Sequence, residues 1–155
     1  MKNKISISKE YSWSMAHMLA DHKDKCVNIH GHTYVMQVEL ERGDKGVINA
    51  PGTTDHGMVM EFDDIKKVIN DLIVEPLDHA FIYWSDSTDE LEHSIAALLK
   101  KHHRKLVDIN YRPTAENLAA DFLNRINEHL SSDPVRVKEL ILWESATSYA
   151  RVIAN

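Results

Sequence analysis

From Ile5 the chain alternates. Ile5, Ile7, Lys9, Tyr11, Trp13 and Met15 take the odd positions, with Ser, Glu and Ala between them. A period of two sends successive side chains to opposite faces, so this segment reads as a strand with one face largely buried. His17 is the next odd position and extends that face if the strand reaches it. Residues 20 to 29 are polar and read as a loop. A second strand is expected from about 30 to 42, with Tyr34, Met36, Val38 and Leu40 on one face. Gly43, Asp44 and Gly46 signal a turn, and "NAPGTTDHG" (49–57) is a loop before the short apolar stretch "MVMEF".

The period then changes. Ile65, Val68, Ile69, Leu72 and Ile73 recur at the spacing of one helical face, and Pro76 is expected to end that helix. Ser-Thr-Asp-Glu from Ser87 has the form of a capping box, which starts a second helix with the stripe Leu91, Ile95, Leu98 and Leu99. After the extended piece "KLVDINYRP", a third helix opens at Thr114 and carries Leu118, Ala119, Phe122, Leu123 and Ile126. "VRVKELILWE" (135–144) and "SYARVIA" (148–154) are closing strands. Strands, helices, strands, with no repeat and no low-complexity linker, predict one α+β domain over residues 1–155. Its helices should pack on one face of an antiparallel sheet.

Composition narrows the classes. The chain has 155 residues, enough for a core without disulfide help, and a formal charge of −6, which argues against nonspecific nucleic-acid binding. "KKHHRK" (100–105) is a short basic patch that reads as a solvated helix end. No apolar run approaches the roughly 20 residues that span a bilayer, and "MKNKISISKE" lacks a stretch of signal-peptide character. One cysteine excludes an intrachain disulfide and fits a reducing compartment, so a cytoplasmic location is expected.

The candidate chemistry sits in "CVNIHGH". His30 and His32 are two apart, so on a strand both imidazoles face the side that carries Tyr34 and Met36, where each needs a hydrogen-bonding or metal partner. Gly31 faces the other way and leaves room for a close backbone approach. His17, on the buried side of the first strand, is the natural third ligand; three neutral imidazoles suit Zn²⁺ and leave one position open. Cys26 lies four residues before His30. As a thiolate ligand it would close a structural site; held beside the metal it would be a general base. Spacing alone leaves both open. His22, among Lys and Asp, reads as exposed.

Four motifs carry a resemblance. Cys-x₃-His-Gly-His with an upstream Ala-His, then "LDHAFI", "PTAEN" and "WESATSYA", resembles the 6-pyruvoyltetrahydropterin synthase family across residues 13 to 151. It resembles most its bacterial branch, the 6-carboxytetrahydropterin synthases of 7-deazapurine (queuosine) biosynthesis. The resemblance implies the tunnelling fold, trimers that pair into hexamers, and active sites between subunits. By position it implies His17, His30 and His32 as zinc ligands and Cys26 as a proton-transfer residue off the metal. It further implies Asp78 and His79 as a pair that works with that cysteine, and Glu144 as the anchor of the pterin ring. Thr114 is a helix N-cap that such proteins place near the pterin, with Glu116 ranking below it. The implied substrate is 7,8-dihydroneopterin triphosphate, converted to 6-carboxytetrahydropterin, acetaldehyde and triphosphate. Elimination of triphosphate to the pyruvoyl product, or noncatalytic zinc or pterin binding, are the other readings. Lys23 and Lys25 suit the triphosphate by charge alone. Two departures stand out: Glu61 replaces the usual Asp before Phe, and the segment between "LDHA" and "PTAEN" is longer than in compact relatives.

Overall fold

A computed structural model describes residues 3–43 and 46–155 of the chain. The expected turn at Asp44 falls outside them. Two long antiparallel strands form the spine, β1 (Ser6–His17) and β2 (His30–Arg42), in register from Ser6 opposite Glu41 to His17 opposite His30. Because partners share a face, the odd positions of β1 and the even positions of β2 make one surface. Tyr11, Trp13, Met15, Tyr34, Met36 and Val38 are all buried on it. β5 (Val135–Ser145) pairs with β2, and β6 (Ser148–Ile153) with β5, both antiparallel.

Beyond β1 the sheet departs from expectation. β3 (Phe81–Trp84) and β4 (Leu106–Ile109) add in parallel, giving the order β4-β3-β1-β2-β5-β6. The sheet is therefore mixed, not purely antiparallel. A parallel pair needs a crossover, and α3 (Glu90–Lys101) supplies it between β3 and β4. β3 left no sequence signal, because four residues reading Phe-Ile-Tyr-Trp show no alternation.

The helices show two smaller differences. The first helix ends within one residue of Pro76 as expected, but α1 (Phe62–Ile69) reaches that end through a π-helical stretch, Asn70–Val74, and a final turn α2 (Glu75–Leu77). Pro76 lacks the N–H that would reach the Leu72 carbonyl, and the Arg125 guanidinium from α4 (Ala115–His129) donates to that carbonyl instead. α3 begins two residues later than its sequence suggested. Asp89 is the cap, accepting from the Leu91 N–H at 2.8 Å, while the Ser87 hydroxyl accepts from the Asp89 N–H at 3.2 Å. α1 and α4 cover the apolar face of the sheet, where Ile65, Ile69, Phe122 and Ile126 are almost fully buried. Each such side chain contributes roughly 1.5–3 kcal/mol.

One irregularity matters for the site. In β5, Glu139 faces Glu39 and Val137 faces Leu40, which leaves Lys138 as an extra residue in a β-bulge. Inward positions change parity there, from Val135 and Val137 to Leu140 and Leu142. Glu144 follows Leu142 onto the inner face.

Candidate metal centre and the adjoining hollow

At the end of the β1–β2 ladder the apolar surface gives way to imidazoles. His17, His30 and His32 come together with one ligand atom each, all within 4.8 Å of one another, and His17 is only 1% exposed. Their tautomers follow from their backbone partners. His17 Nδ1 lies 2.8 Å from the Pro113 carbonyl, and His30 Nδ1 lies 2.8 Å from the Asn28 carbonyl. A carbonyl only accepts, so both Nδ1 atoms carry the proton and both Nε2 atoms present lone pairs. Those two Nε2 atoms face each other at 3.1 Å. His32 Nε2 is buried without a hydrogen-bond partner. Burial, with the neighbouring His30 and His32 adding to it, holds His17 down to about 4 against the pull of its Pro113 bond, so a proton does not settle there near neutrality. Burial likewise lowers His32, against the pull of Glu144.

Three imidazoles whose ring nitrogens converge form a donor set that calls for a cation. Tetrahedral zinc–nitrogen bonds of about 2.05 Å place ligand nitrogens about 3.3 Å apart, close to the 3.1 Å between His17 Nε2 and His30 Nε2. The two backbone carbonyls fix tautomer and ring orientation in the way outer partners of metal-bound histidine do. The residues fit a metal ion.

Gly31, between two of the ligands, lets the two strands approach closely. A Cβ there would come 3.1 Å from the Met15 carbonyl oxygen of β1.

Glu144 joins this centre to a hollow. Its Oε1 lies 3.8 Å from His32 Nε2, and its Oε2 accepts a long, 3.5 Å hydrogen bond from the buried Tyr34 hydroxyl. Burial and the Glu144 charge raise the Tyr34 phenol well above its ordinary value. Tyr34 was not among the sequence candidates, although it continues the His30–His32 alternation. On its other side Glu144 borders a hollow of about 350 Å³, shared with Leu19, Arg112, Thr114 and Glu116. The Thr114 hydroxyl accepts from the Asn117 N–H at 3.3 Å, so its capping role and its place at the hollow coexist.

The remaining candidates lie elsewhere. Cys26 is half-buried on a short 3₁₀ turn (Lys25–Val27), and its carbonyl accepts from the Leu19 N–H at 2.8 Å. It does not belong to the three-histidine cluster. Asp78 and His79 follow α2. Asp78 Oδ1 accepts from the Ser14 N–H at 3.1 Å and pairs with His79 Nδ1 at 2.9 Å. That Ser14 bond, then His79 and Lys105, pull the Asp78 carboxyl below its usual range against slight burial. His79 lines a second hollow, of about 720 Å³, with Ser14, Ala16, Gly31 and Thr33, and His32 of the cluster also borders it. By strand alternation the Ser14, Ala16, Gly31 and Thr33 side chains face the opposite side of the sheet from His17, His30 and His32. Within one chain the Asp78–His79 pair bonds to Ser14 and stands outside the three-histidine cluster.

A mixed sheet backed by helices, with a three-histidine centre at the end of its longest ladder, is the architecture of tunnelling-fold proteins. Solved structures agree on the fold. An uncharacterized protein from Wolinella succinogenes superposes with a TM-score of 0.72 at 21% identity, over 97% of this chain and 98% of that one. The 6-pyruvoyl tetrahydropterin synthase of Caenorhabditis elegans gives 0.64 at 22% identity over the whole of both. The family model for 6-pyruvoyl tetrahydropterin synthase matches residues 6–155. Proteins named 6-carboxy-5,6,7,8-tetrahydropterin synthase are similar along most of the chain. That of Haemophilus influenzae is 43% identical over 147 residues, covering 94% of this chain and 96% of its own. That of Aquifex aeolicus is 33% identical over 132 residues, covering 82% and 75%. The chain belongs to the 6-pyruvoyl tetrahydropterin synthase family of pterin-synthesising enzymes.

Proposed function

We propose that the protein is a zinc-dependent carbon–carbon lyase, a 6-carboxy-5,6,7,8-tetrahydropterin synthase. It converts 7,8-dihydroneopterin triphosphate and one water to 6-carboxytetrahydropterin, acetaldehyde and triphosphate in the cytoplasm, on the route to queuosine and other 7-deazapurines. The observation that carries this reading is the contact of Glu144 with both the histidine cluster and the 350 Å³ hollow. A ring held by that carboxylate has its substituent directed at the ligand set. The names of the Haemophilus and Aquifex relatives support the carboxy product.

His17, His30 and His32 would hold the zinc ion. When bound, zinc supplies Lewis acidity toward the hydroxyls of the substrate side chain. Glu144 accepts the two N–H groups along the amide-and-amine edge of the pterin, a planar pair of donors that suits a carboxylate. Thr114 lines the same hollow and completes the ring's surroundings. Cys26 and His79 take and return protons at the side-chain carbons and oxygens, and Asp78 holds the imidazole of His79 at Nδ1. The opposed placement of the Asp78–His79 pair and the histidine cluster supports a homo-oligomer, trimer-based and paired into a hexamer, in which the two come from different copies.

The test is product identification. Purified, metal-assayed protein incubated with dihydroneopterin triphosphate should release acetaldehyde and a carboxypterin, followed by mass spectrometry. A pyruvoyl product would assign the protein to triphosphate elimination. Binding without turnover would make it a pterin-binding protein.

A further inference from the structure

Lys105 lies at the end of the basic run 100–105, where the α3 crossover returns to β4, and its side chain is exposed yet bonded twice to backbone. Its Nζ donates to the Glu75 carbonyl at 2.5 Å and to the Asp78 carbonyl at 2.6 Å. The Glu75 carbonyl belongs to the last turn of α2, where helix carbonyls have no partner within the helix. The Asp78 carbonyl opens the turn that carries His79. On the far side of that turn, the Phe81 N–H donates to the Lys105 carbonyl at 3.1 Å. Residue 105 thus grips the Asp78–His79 dipeptide from both ends.

The turn is one that needs a grip. His79 adopts a φ of 61°, in the left-handed region that disfavours a residue with a Cβ. Its N–H donates to the Ser14 carbonyl at 2.6 Å, and the Asp78 carboxylate accepts from the Ser14 N–H, so the dipeptide is pinned to β1 at one residue. The His79 side chain itself is 80% exposed, with no packing to aim it. Its direction is set by the Asp78 carboxylate at Nδ1 and by the backbone that carries both residues.

We propose that Lys105 is a positioning residue for the Asp78–His79 pair: by tying the end of α2 to the following turn, its ammonium group fixes the direction in which the His79 ring leaves the sheet. The inference rests on the reading of that pair as a proton carrier. It gives the long segment between "LDHA" and "PTAEN" a function, which is to deliver a cation to the turn.

The test compares Lys105→Met with Lys105→Arg. Lys105→Met should keep its metal and its oligomeric state. Its kcat should fall roughly 10- to 100-fold with KM within about twofold of the parent, the pattern of a misaimed group and not of lost binding. Lys105→Arg, which keeps a charged donor, should recover most of that loss. In NMR spectra of the unliganded protein the His79 ring signals, assigned with His79→Gln, should move in Lys105→Met and stay in Lys101→Met at the exposed helix end. Parental kcat together with unmoved His79 signals would overturn the proposal, and Lys105 would then only cap α2. Should Lys105→Met fail to fold, Lys105→Gln, a neutral donor, is read by the same two measurements. If the parent does not turn over the substrate, the functional reading fails, and the NMR comparison still decides the role of Lys105.

Discussion

Cys26 and His30 stand four residues apart and differ in what surrounds them. His30 has its Nδ1 proton committed to a backbone carbonyl and its lone pair aimed at His17, whereas Cys26 rides on a half-buried turn outside the cluster. Removing each should therefore have opposite effects on the metal. Cys26→Ala is expected to retain about one zinc per chain in its three-imidazole site while losing turnover. His30→Ala should lose the metal, since two imidazoles seldom hold zinc against dialysis. A metal assay after exhaustive dialysis reads both, and loss of zinc in Cys26→Ala would make the cysteine a ligand. At this scale the sequence was informative where side chains follow strand parity. His17, His30 and His32 share a face because the two strands have a period of two. The carbonyls of Pro113 and Asn28, which set the tautomers, were invisible, because a backbone acceptor carries no residue signature and Pro113 lies 96 positions from His17.

Elements show what a local rule misses when another element intervenes. Pro76 reads as a helix stop because it removes one N–H and crowds the preceding turn. The helix does end there, at Leu77, one residue beyond the proline, but a widened turn precedes it and the Leu72 carbonyl is taken by Arg125. This arrangement is testable by a double-mutant cycle. Arg125→Met strands a carbonyl and should cost about 1–3 kcal/mol, seen as a fall of several degrees in Tm. Pro76→Ala restores an N–H within reach of Leu72, so Arg125→Met should cost measurably less in that background, by a coupling of at least about 0.5 kcal/mol. Equal costs in both backgrounds would show that Arg125 acts through its ion pair with Asp121 alone. β3 and the bulge at Lys138 were illegible for related reasons. A four-residue buried strand has no period to read, and a bulge is recognised only against its partner strand. Glu144 was assigned to the face of Leu140 and Leu142 from its local alternation, yet the change of parity that separates these from Val135 and Val137 emerged only with the register.

On the scale of the whole molecule the sheet has two working faces. One carries the histidine cluster, Glu144 and the smaller hollow; the other carries Asp78, His79 and most of the larger hollow, which borders Arg104 and Lys105 and is reached by His32 from the first face. Among the described residues no helix is long and apolar enough to cross a membrane, so neither face is explained as a lipid contact by a spanning helix. If catalysis needs both faces, a site is made by two copies, and each variant lacking one half can donate the other. Cys26→Ala and His79→Ala homo-oligomers should each be inactive on dihydroneopterin triphosphate. Chains of the two variants, coexpressed or dissociated and reassembled together, form a complete site wherever a His79→Ala chain supplies Cys26 and its neighbour supplies His79. With random, equal mixing in a cyclic assembly that happens at about one site in four, so about a quarter of the parental rate should return. The rise should depend on reassembly: mixing the intact homo-oligomers without subunit exchange should restore nothing. A mixture that stays inactive after proven exchange would place Cys26 and His79 in one chain's site, and the opposed faces of the sheet would then have to be reconciled by movement of the turn at Asp78.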